Sequence, residues 1–297
     1  MAVAATGFFD GVHLGHKQVI DRLCAVARER GEESLLVTFW PHPRSVLQLD
    51  ADRLRLLSTL QEKRARCLAY GVDCFEVLPF DRDFSQLSAE SFIKEYLAGR
   101  LGVTALVLGY DHRLGHDAFA STDEMMATVS RCGVTPVRVE AFSEGMEVVV
   151  SSTQIRRALF AGDVELANKM LGYRYGLHGV VVAGNRIGRT IGFPTANMQL
   201  YEPLKLVPAD GVYAVRTQVL GKTYKGVCNI GLRPTVGAGG ARTIETHILG
   251  FDQEIYGLDL DIEFCARLRD ERRFDSLELL KEQLCIDRKK AGEIVVV

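Results

Sequence analysis

The chain is short of the features that mark several protein classes. No apolar run among its 297 residues approaches the roughly 20 needed to span a bilayer, and no signal peptide precedes the first motif. The seven cysteines (24, 67, 74, 132, 228, 265 and 285) are odd in number, scattered, and include no CxxC pair. Reduced thiols in core positions are expected, and with them a cytoplasmic location. The net charge of -2 gives no general attraction to nucleic acid or to an anionic membrane, so any anion binding must be local. No internal repeat or low-complexity tract is visible, and the glycine loop at Gly184 to Gly192 contains no GK[ST], so it is not a Walker A loop.

What is present is an ordinary globular composition, 47% hydrophobic and 25% charged, with enough length for two domains that each bury a core. The first half alternates short apolar runs with helical periodicity. Strands are predicted at Ala2–Phe8, Leu35–Phe39, Cys74–Leu78, Ala105–Leu108 and Val134–Val139. Between them lie a helix that Gly31 ends, one that a Thr59/Glu62 capping box opens, and helices at Glu90–Leu97 and Asp123–Arg131. This alternation implies a parallel sheet covered on both faces. Two short helices, Gln154–Phe160 and Val164–Leu171, form the predicted hinge. Beyond them come strands at Tyr175–Val182, Val212–Leu220, Thr223–Asn229, Ile244–Leu249 and Leu258–Ala266, a turn signal at Gly221-Lys222, and a closing helix Ser276–Cys285. That half reads as a small antiparallel barrel with a terminal helix.

Two unrelated phosphate-handling strings stand out. In Gly7-Phe8-Phe9-Asp10-Gly11-Val12-His13-Leu14-Gly15-His16-Lys17 a strand runs into a helix start that carries two imidazoles. Free backbone N–H groups there already favour anions, and hydrogen-bond donors aimed at charge developing on an α-phosphate lower its barrier. Pro41-His42-Pro43 shapes either a ligand wall or a rigid turn. Leu108-Gly109-Tyr110-Asp111 ends a strand, where open α/β sheets bind ligands. Ser151-Ser152-Thr153 with Arg156 supplies hydroxyls and a guanidinium, or a plain N-cap.

In the second half, Gly184, Gly188 and Gly192 surround Arg186 and Arg189 ahead of Pro194-Thr195-Ala196-Asn197. Such a loop can fold its N–H groups over phosphates, and a hydroxyl and an amide oxygen two residues apart can reach one Mg²⁺. Glu245 shares a strand face with His247, an arrangement expected to point its carboxylate into the barrel mouth.

GFFDGVHLGHK with LGYD and SSTQIR resembles the flavin-adenylylating domain of the bacterial bifunctional riboflavin kinase/FMN adenylyltransferase (FAD synthetase) family. PTAN, the string Asn229 to Thr235, ETHIL at Glu245 to Leu249, and Leu268 to Phe274 occur in the order seen in riboflavin kinases. Two departures are Phe8, where the family often has Asn, and His112 and Leu114, where it has aromatics. The resemblance implies an adenylyltransferase domain at 1–158, a helical linker at 159–174 and a kinase domain at 175–297. It implies ATP contacts by Gly7 to Gly11, His13, His16, Ser152, Thr153 and Arg156, and a flavin-side loop at Asp111. In the kinase half it implies ATP at Gly184, Gly188, Arg189, Gly192, Thr195 and Asn197, with Mg²⁺ at the last two. Glu245 would be the base, and Arg269, Glu271 and Phe274 would border the flavin.

Riboflavin, FMN, FAD and ATP are then the small-molecule partners, with no nucleic acid and no membrane. Two rivals are another nucleotidyltransferase with an accessory barrel and a non-catalytic flavin or nucleotide sensor. The intact His13, His16, Thr195, Asn197 and Glu245 weigh against the sensor, and PTAN with ETHIL against the other transferase.

Overall fold

The computed structural model describes residues 1–47, 54–110, 114–117, 119–142, 149–184, 187–232 and 242–297. Asp111, Arg186, the stretch 233–235 and the side chain of Arg189, singled out above, lie outside that description. The chain divides into two compact units, Met1–Ser152 and Thr153–Val297.

In the first unit, β1 (Ala2–Thr6), β2 (Glu33–Trp40), β3 (Cys74–Pro79), β4 (Val103–Leu108) and β5 (Thr135–Arg138) form an all-parallel sheet in the order β3-β2-β1-β4-β5. Every residue of β1 is buried, as a central strand with both faces covered requires. The helices are α1 (Leu14–Arg30), α2 (Pro43–Val46), α3 (Leu60–Ala69), α4 (Ala89–Ser91) and α5 (Thr122–Arg131). Helix α1 buries Ile20, Leu23, Cys24, Val26 and Ala27, and Gly31 stops it in the left-handed region at φ 65°. Thr59 and Glu62 form the expected capping box on α3. The helix predicted at Glu90–Leu97 instead runs from α4 into a π-helical stretch, Phe92–Arg100, closed by the Leu101 N–H donating to the Tyr96 carbonyl at 3.0 Å. After β3 the chain crosses to the other side of β1, so the carboxyl ends of β1 and β4 form the switch point where open sheets bind ligands.

Helix α6 (Ser152–Ala161) begins on the last residue of the first unit, and α7 (Val164–Leu171) follows it. The second unit is a closed barrel of β6 (Gly176–Val182), β7 (Ala196–Leu200), β8 (Gly211–Val219), β9 (Lys222–Leu232), β10 (Arg242–Ile248) and β11 (Asp259–Arg269), in the order β10-β7-β6-β11-β8-β9. A short α8 (Ile187–Thr190) precedes β7, and α9 (Leu277–Ile294) follows β11. Strand β7 is not among the five strands expected here, and two further details differ from expectation. The hairpin turn is Leu220-Gly221, one residue earlier than predicted, because both take positive φ (51° and 71°) while Val219 pairs with Lys222. Helix α9 extends nine residues beyond Cys285, to Ile294.

That extension has a cause. On α9, Ala291 packs with Val295 against Val212, Ala214 and Val227 on the barrel's outer wall. One turn earlier, Asp287, 1% exposed, receives Arg269 through Nε (3.0 and 3.2 Å) and Nη2 (2.9 Å). Asp287→Ala is expected to destabilise the second unit by about 3–5 kcal/mol, the cost of leaving one buried charge unpaired. Urea denaturation checks it; an unchanged midpoint would leave α9 docked by its apolar contacts alone.

Candidate active sites

In the first unit the turn after β1 reaches α1 through an unusual backbone. Gly11 sits at φ 82°, and Phe9 (φ 46°) and Val12 (φ 38°) take positive values that side chains with a Cβ resist. Both are buried, at 4% and 0% exposure, so the surroundings hold them there. The principal brace is Asp10. Its carboxylate accepts the Leu57 N–H (3.0 and 3.1 Å) and the Ser58 N–H (3.0 Å), while the Ser58 hydroxyl accepts the Gly11 N–H at 2.9 Å. The Ser152 hydroxyl, at the end of the same unit, donates to the Asp10 carbonyl at 2.9 Å.

This frame carries the two imidazoles. His13 caps α1, its Nδ1 accepting the His16 N–H at 3.3 Å. A neutral His13 ring therefore bears its proton on Nε2, leaving that N–H as the donor. The His16 ring stacks on it, centroids 3.6 Å apart and planes 17° apart. Burial, with the nearby His13 and Lys63, pushes the His16 pKa well below the usual histidine range. Its Nδ1 is buried without a hydrogen-bond partner. A Cβ on Gly15 would stand 3.2 Å from the His13 ring, so a bare backbone lets the ring lie flat on the helix start. The arrangement offers imidazole groups at a helix N-terminus, with His16 disposed to stay neutral, fitted to charge that grows during a reaction.

The expected site residues thus split in role. Asp10 fixes the turn through its carboxylate. The Phe8 ring packs among Phe39 (5.4 Å), His42 (5.1 Å) and Phe80 (6.3 Å) at the sheet's carboxyl edge. Thr153 and Arg156 lie on α6, across the division between units. Sequence reasoning missed Lys63 and Thr38, both buried beside the turn.

In the second unit, strand register assembles the other site. Glu245 pairs with Asn197 on one side and Asn229 on the other, and directly opposed residues share a face. Glu245 does not point into the barrel. Ile244, Thr246 and Ile248 are buried with Cys228 and Ala196 on the inner face, so Glu245, His247, Asn197 and Asn229 belong to the outer wall. Asn197 is covered by the glycine loop: a Cβ on Gly184 would stand 2.2 Å from its Nδ2. Likewise a Cβ on Gly231 would meet Glu271 Oε1 at 2.0 Å, and Asn229 Nδ2 donates to that oxygen at 3.4 Å. Thr195, half-buried, stands two residues before Asn197 at the entry to β7. Gly188 closes over the Phe193 carbonyl, and Gly192 turns at φ 85°. Burial lowers the His247 pKa, against an opposing hydrogen bond between Nδ1 and the Pro194 carbonyl at 2.9 Å.

Among the described residues no group of three or more His, Cys, Asp or Glu side chains could hold a metal. Thr195 and Asn197 offer hard oxygen donors suited to a Mg²⁺ ion that keeps most of its ligands from phosphates. Nearby, Arg272 and Arg269 lie 4.6 and 5.7 Å over the Phe274 ring, beside a cleft of about 360 Å³ lined also by Leu279 and Ile286.

Comparison with known proteins matches these halves separately. Residues 1–154 fit the FAD synthetase family model and residues 171–295 the riboflavin kinase model. A bifunctional riboflavin kinase/FMN adenylyltransferase from Bacillus subtilis (strain 168) is 40% identical, covering 98% of this chain and 91% of its own. The chain belongs to the bifunctional riboflavin kinase/FMN adenylyltransferase family. The Escherichia coli (strain K12) member is 37% identical over 98% of this chain and 92% of its own. A crystal structure described as a macrolide-efflux protein from Streptococcus pneumoniae matches with a TM-score of 0.90 at 29% identity, covering 98% of this chain and 93% of its own. Among the described residues no helix is long and apolar enough to cross a membrane.

For the FAD synthetase half, Asp10→Ala is expected to release the Leu57 and Ser58 amides. Their hydrogen exchange should quicken by one to several orders of magnitude, since each bond to a charged acceptor is worth roughly 1.5–3 kcal/mol. Unchanged protection would mean that the turn stands without its brace.

Proposed function

We propose that this chain makes FMN and then FAD, with the kinase chemistry on the outer wall of the barrel and the adenylyl transfer at the switch point of the parallel sheet. The observation that carries it is the coexistence of two differently built sites: stacked imidazoles at a helix start in one unit, and Glu245 flanked by Asn197 and Asn229 in the other.

In the kinase step, Glu245 takes the proton of the ribityl 5′-hydroxyl, the oxygen attacks the γ-phosphorus of ATP, and the bond to the departing ADP breaks. Thr195 and Asn197 hold Mg·ATP, and the backbone of Gly184, Gly188 and Gly192 with Arg189 cradles the phosphates. The metal, when bound, neutralises charge on the transferring phosphoryl group. Phe274 and Glu271 border the flavin. Arg269 acts there by holding Phe274 and α9 in place, since Asp287 engages its guanidinium.

In the adenylyl step, the FMN phosphate attacks the α-phosphorus of a second ATP and pyrophosphate leaves. His13 and His16 donate to the oxygens that gain charge, while Gly7, Phe8, Phe9 and Gly11 give the turn its backbone and Asp10 fixes it. Ser152, Thr153 and Arg156 complete the ATP site. The functional parts follow domains at 1–158 and 175–297 joined by 159–174. All seven cysteines are free thiols, which accords with a cytoplasmic location.

Incubating the purified chain with riboflavin, ATP and Mg²⁺ and separating the flavins tests this. FMN should appear first and FAD after it; neither product would overturn the reading. His13→Ala should lower FAD formation by about two to three orders of magnitude, the scale for losing one aimed donor, and leave FMN formation unchanged. Glu245→Gln should do the reverse, cutting riboflavin phosphorylation by about two to four orders of magnitude with little change in the KM for ATP. Full-speed phosphorylation by that variant would remove Glu245 as the base.

A further inference from the structure

Lys63 is a buried charged residue that this mechanism leaves without a task. It is the fourth residue of α3, 6% exposed, and shares the helix's buried face with Cys67 one turn on. An inward helical face ordinarily carries apolar side chains. A lysine there gives up hydration and sits near the positive end of its own helix, so α3 by itself gives no reason for it.

The surroundings do. Lys63 Nζ donates to the Thr38 hydroxyl at 3.5 Å, and that hydroxyl donates to the Phe8 carbonyl at 3.4 Å. The ammonium therefore lies against the turn that carries Asp10 and leads to His16. Among the described residues, the titratable groups acting on His16 are His13, the cap of its own helix, and Lys63, from α3. Burial lowers the Lys63 pKa, and the Asp10 carboxylate on its other side works against that lowering. One buried cation thus touches both requirements of the site: the shape of the turn and the charge of the imidazole pair.

We infer that Lys63 is a positioning residue for adenylyl transfer, anchoring the Phe8–Asp10 turn through Thr38 and placing its positive charge beside the stacked His13–His16 pair. The inference rests on the adenylyltransferase reading of this unit. Its physical content is simple. Two rings 3.6 Å apart cannot both carry charge comfortably. A charged pair would also grip the ground-state polyphosphate as firmly as the transition state, which gains nothing in rate. A neutral imidazole responds to the charge as it develops, a known way for histidine to act as an electrophile.

The test compares Lys63→Met and Lys63→Arg with the unaltered chain, in FAD formation from FMN and Mg·ATP across about pH 5.5 to 8.5. Losing a neighbouring positive charge makes His16 easier to protonate, so its pKa rises toward the ordinary histidine value. The Met variant should lose about tenfold or more in kcat near pH 6, less at pH 8, with the KM for ATP changed by less than about threefold; its acid limb should move to higher pH. The Arg variant should restore both. Riboflavin phosphorylation should be untouched in each. A Lys63→Gln variant, which keeps a donor for Thr38, should show the same upward shift in the His16 ring titration by NMR. An unmoved acid limb and an unmoved His16 titration would overturn the inference, as would Met and Arg variants equally impaired at every pH. If the unaltered chain makes FMN but no FAD, the adenylyltransferase reading itself is what fails.

Discussion

The Asp10 carboxylate accepts backbone N–H groups from Leu57 and Ser58 at 3.0–3.1 Å, and the placing of the His13–His16 pair depends on it. The turn it braces contains two side-chain-bearing residues at positive φ, Phe9 and Val12, each strained by of order 1–3 kcal/mol. Bonds to a charged acceptor return roughly 1.5–3 kcal/mol each, and apolar burial of Phe9 and Val12 adds to that. The bonds and the burial together outweigh the strain. What the strain secures is a sharp entry into α1 that puts His13 at the cap and His16 one turn on. The carboxylate thus acts on the shape of the turn, where it accepts N–H groups of the chain.

The barrel solves its placement problem by register. Asn197, Glu245 and Asn229 come from three strands separated by long connections, yet they stand side by side because β10 lies between β7 and β9. Strand pairing fixes such a row firmly, since a slip of one residue would turn each side chain to the other face. The inner face, with Thr246, Cys228, Tyr213 and Phe264 fully buried, penalises that slip. The glycines then complete the outer row: Gly184 and Gly231 are the positions where a Cβ would collide with Asn197 and Glu271.

Much of this was legible in the residues alone. Periodicity and caps located the parallel sheet, α1 with its Gly31 stop and α3 with its Thr59/Glu62 box, because those signals are local. Three things were not. The PTAN segment reads as a loop, with Gly192 and Pro194 ahead of it, yet Ala196–Leu200 is a strand paired to β6 and β10. Helix α9 reads as ending near Cys285 because Asp287 resembles a surface charge, and its burial depends on Arg269 from a distant strand. Lys63 looks like one more solvated helix lysine; its clue is that it stands at the i−4 position to Cys67 on the face that turns inward. In each case the deciding partner is remote in sequence.

The two sites differ in the way their nucleophiles demand. Riboflavin offers a hydroxyl, which must shed a proton as it attacks, so on the proposed reading a carboxylate such as Glu245, beside the oxygens of Thr195 and Asn197, would have work to do. FMN offers a phosphate that is already an anion at neutral pH, so a base would add nothing and a second negative charge would repel it. The first unit accordingly presents imidazole groups and a helix start, with the carboxylate of Asp10 tied to backbone amides and set against Lys63. The carboxylate of one site and the histidines of the other follow from a single distinction: whether the attacking oxygen still carries its proton.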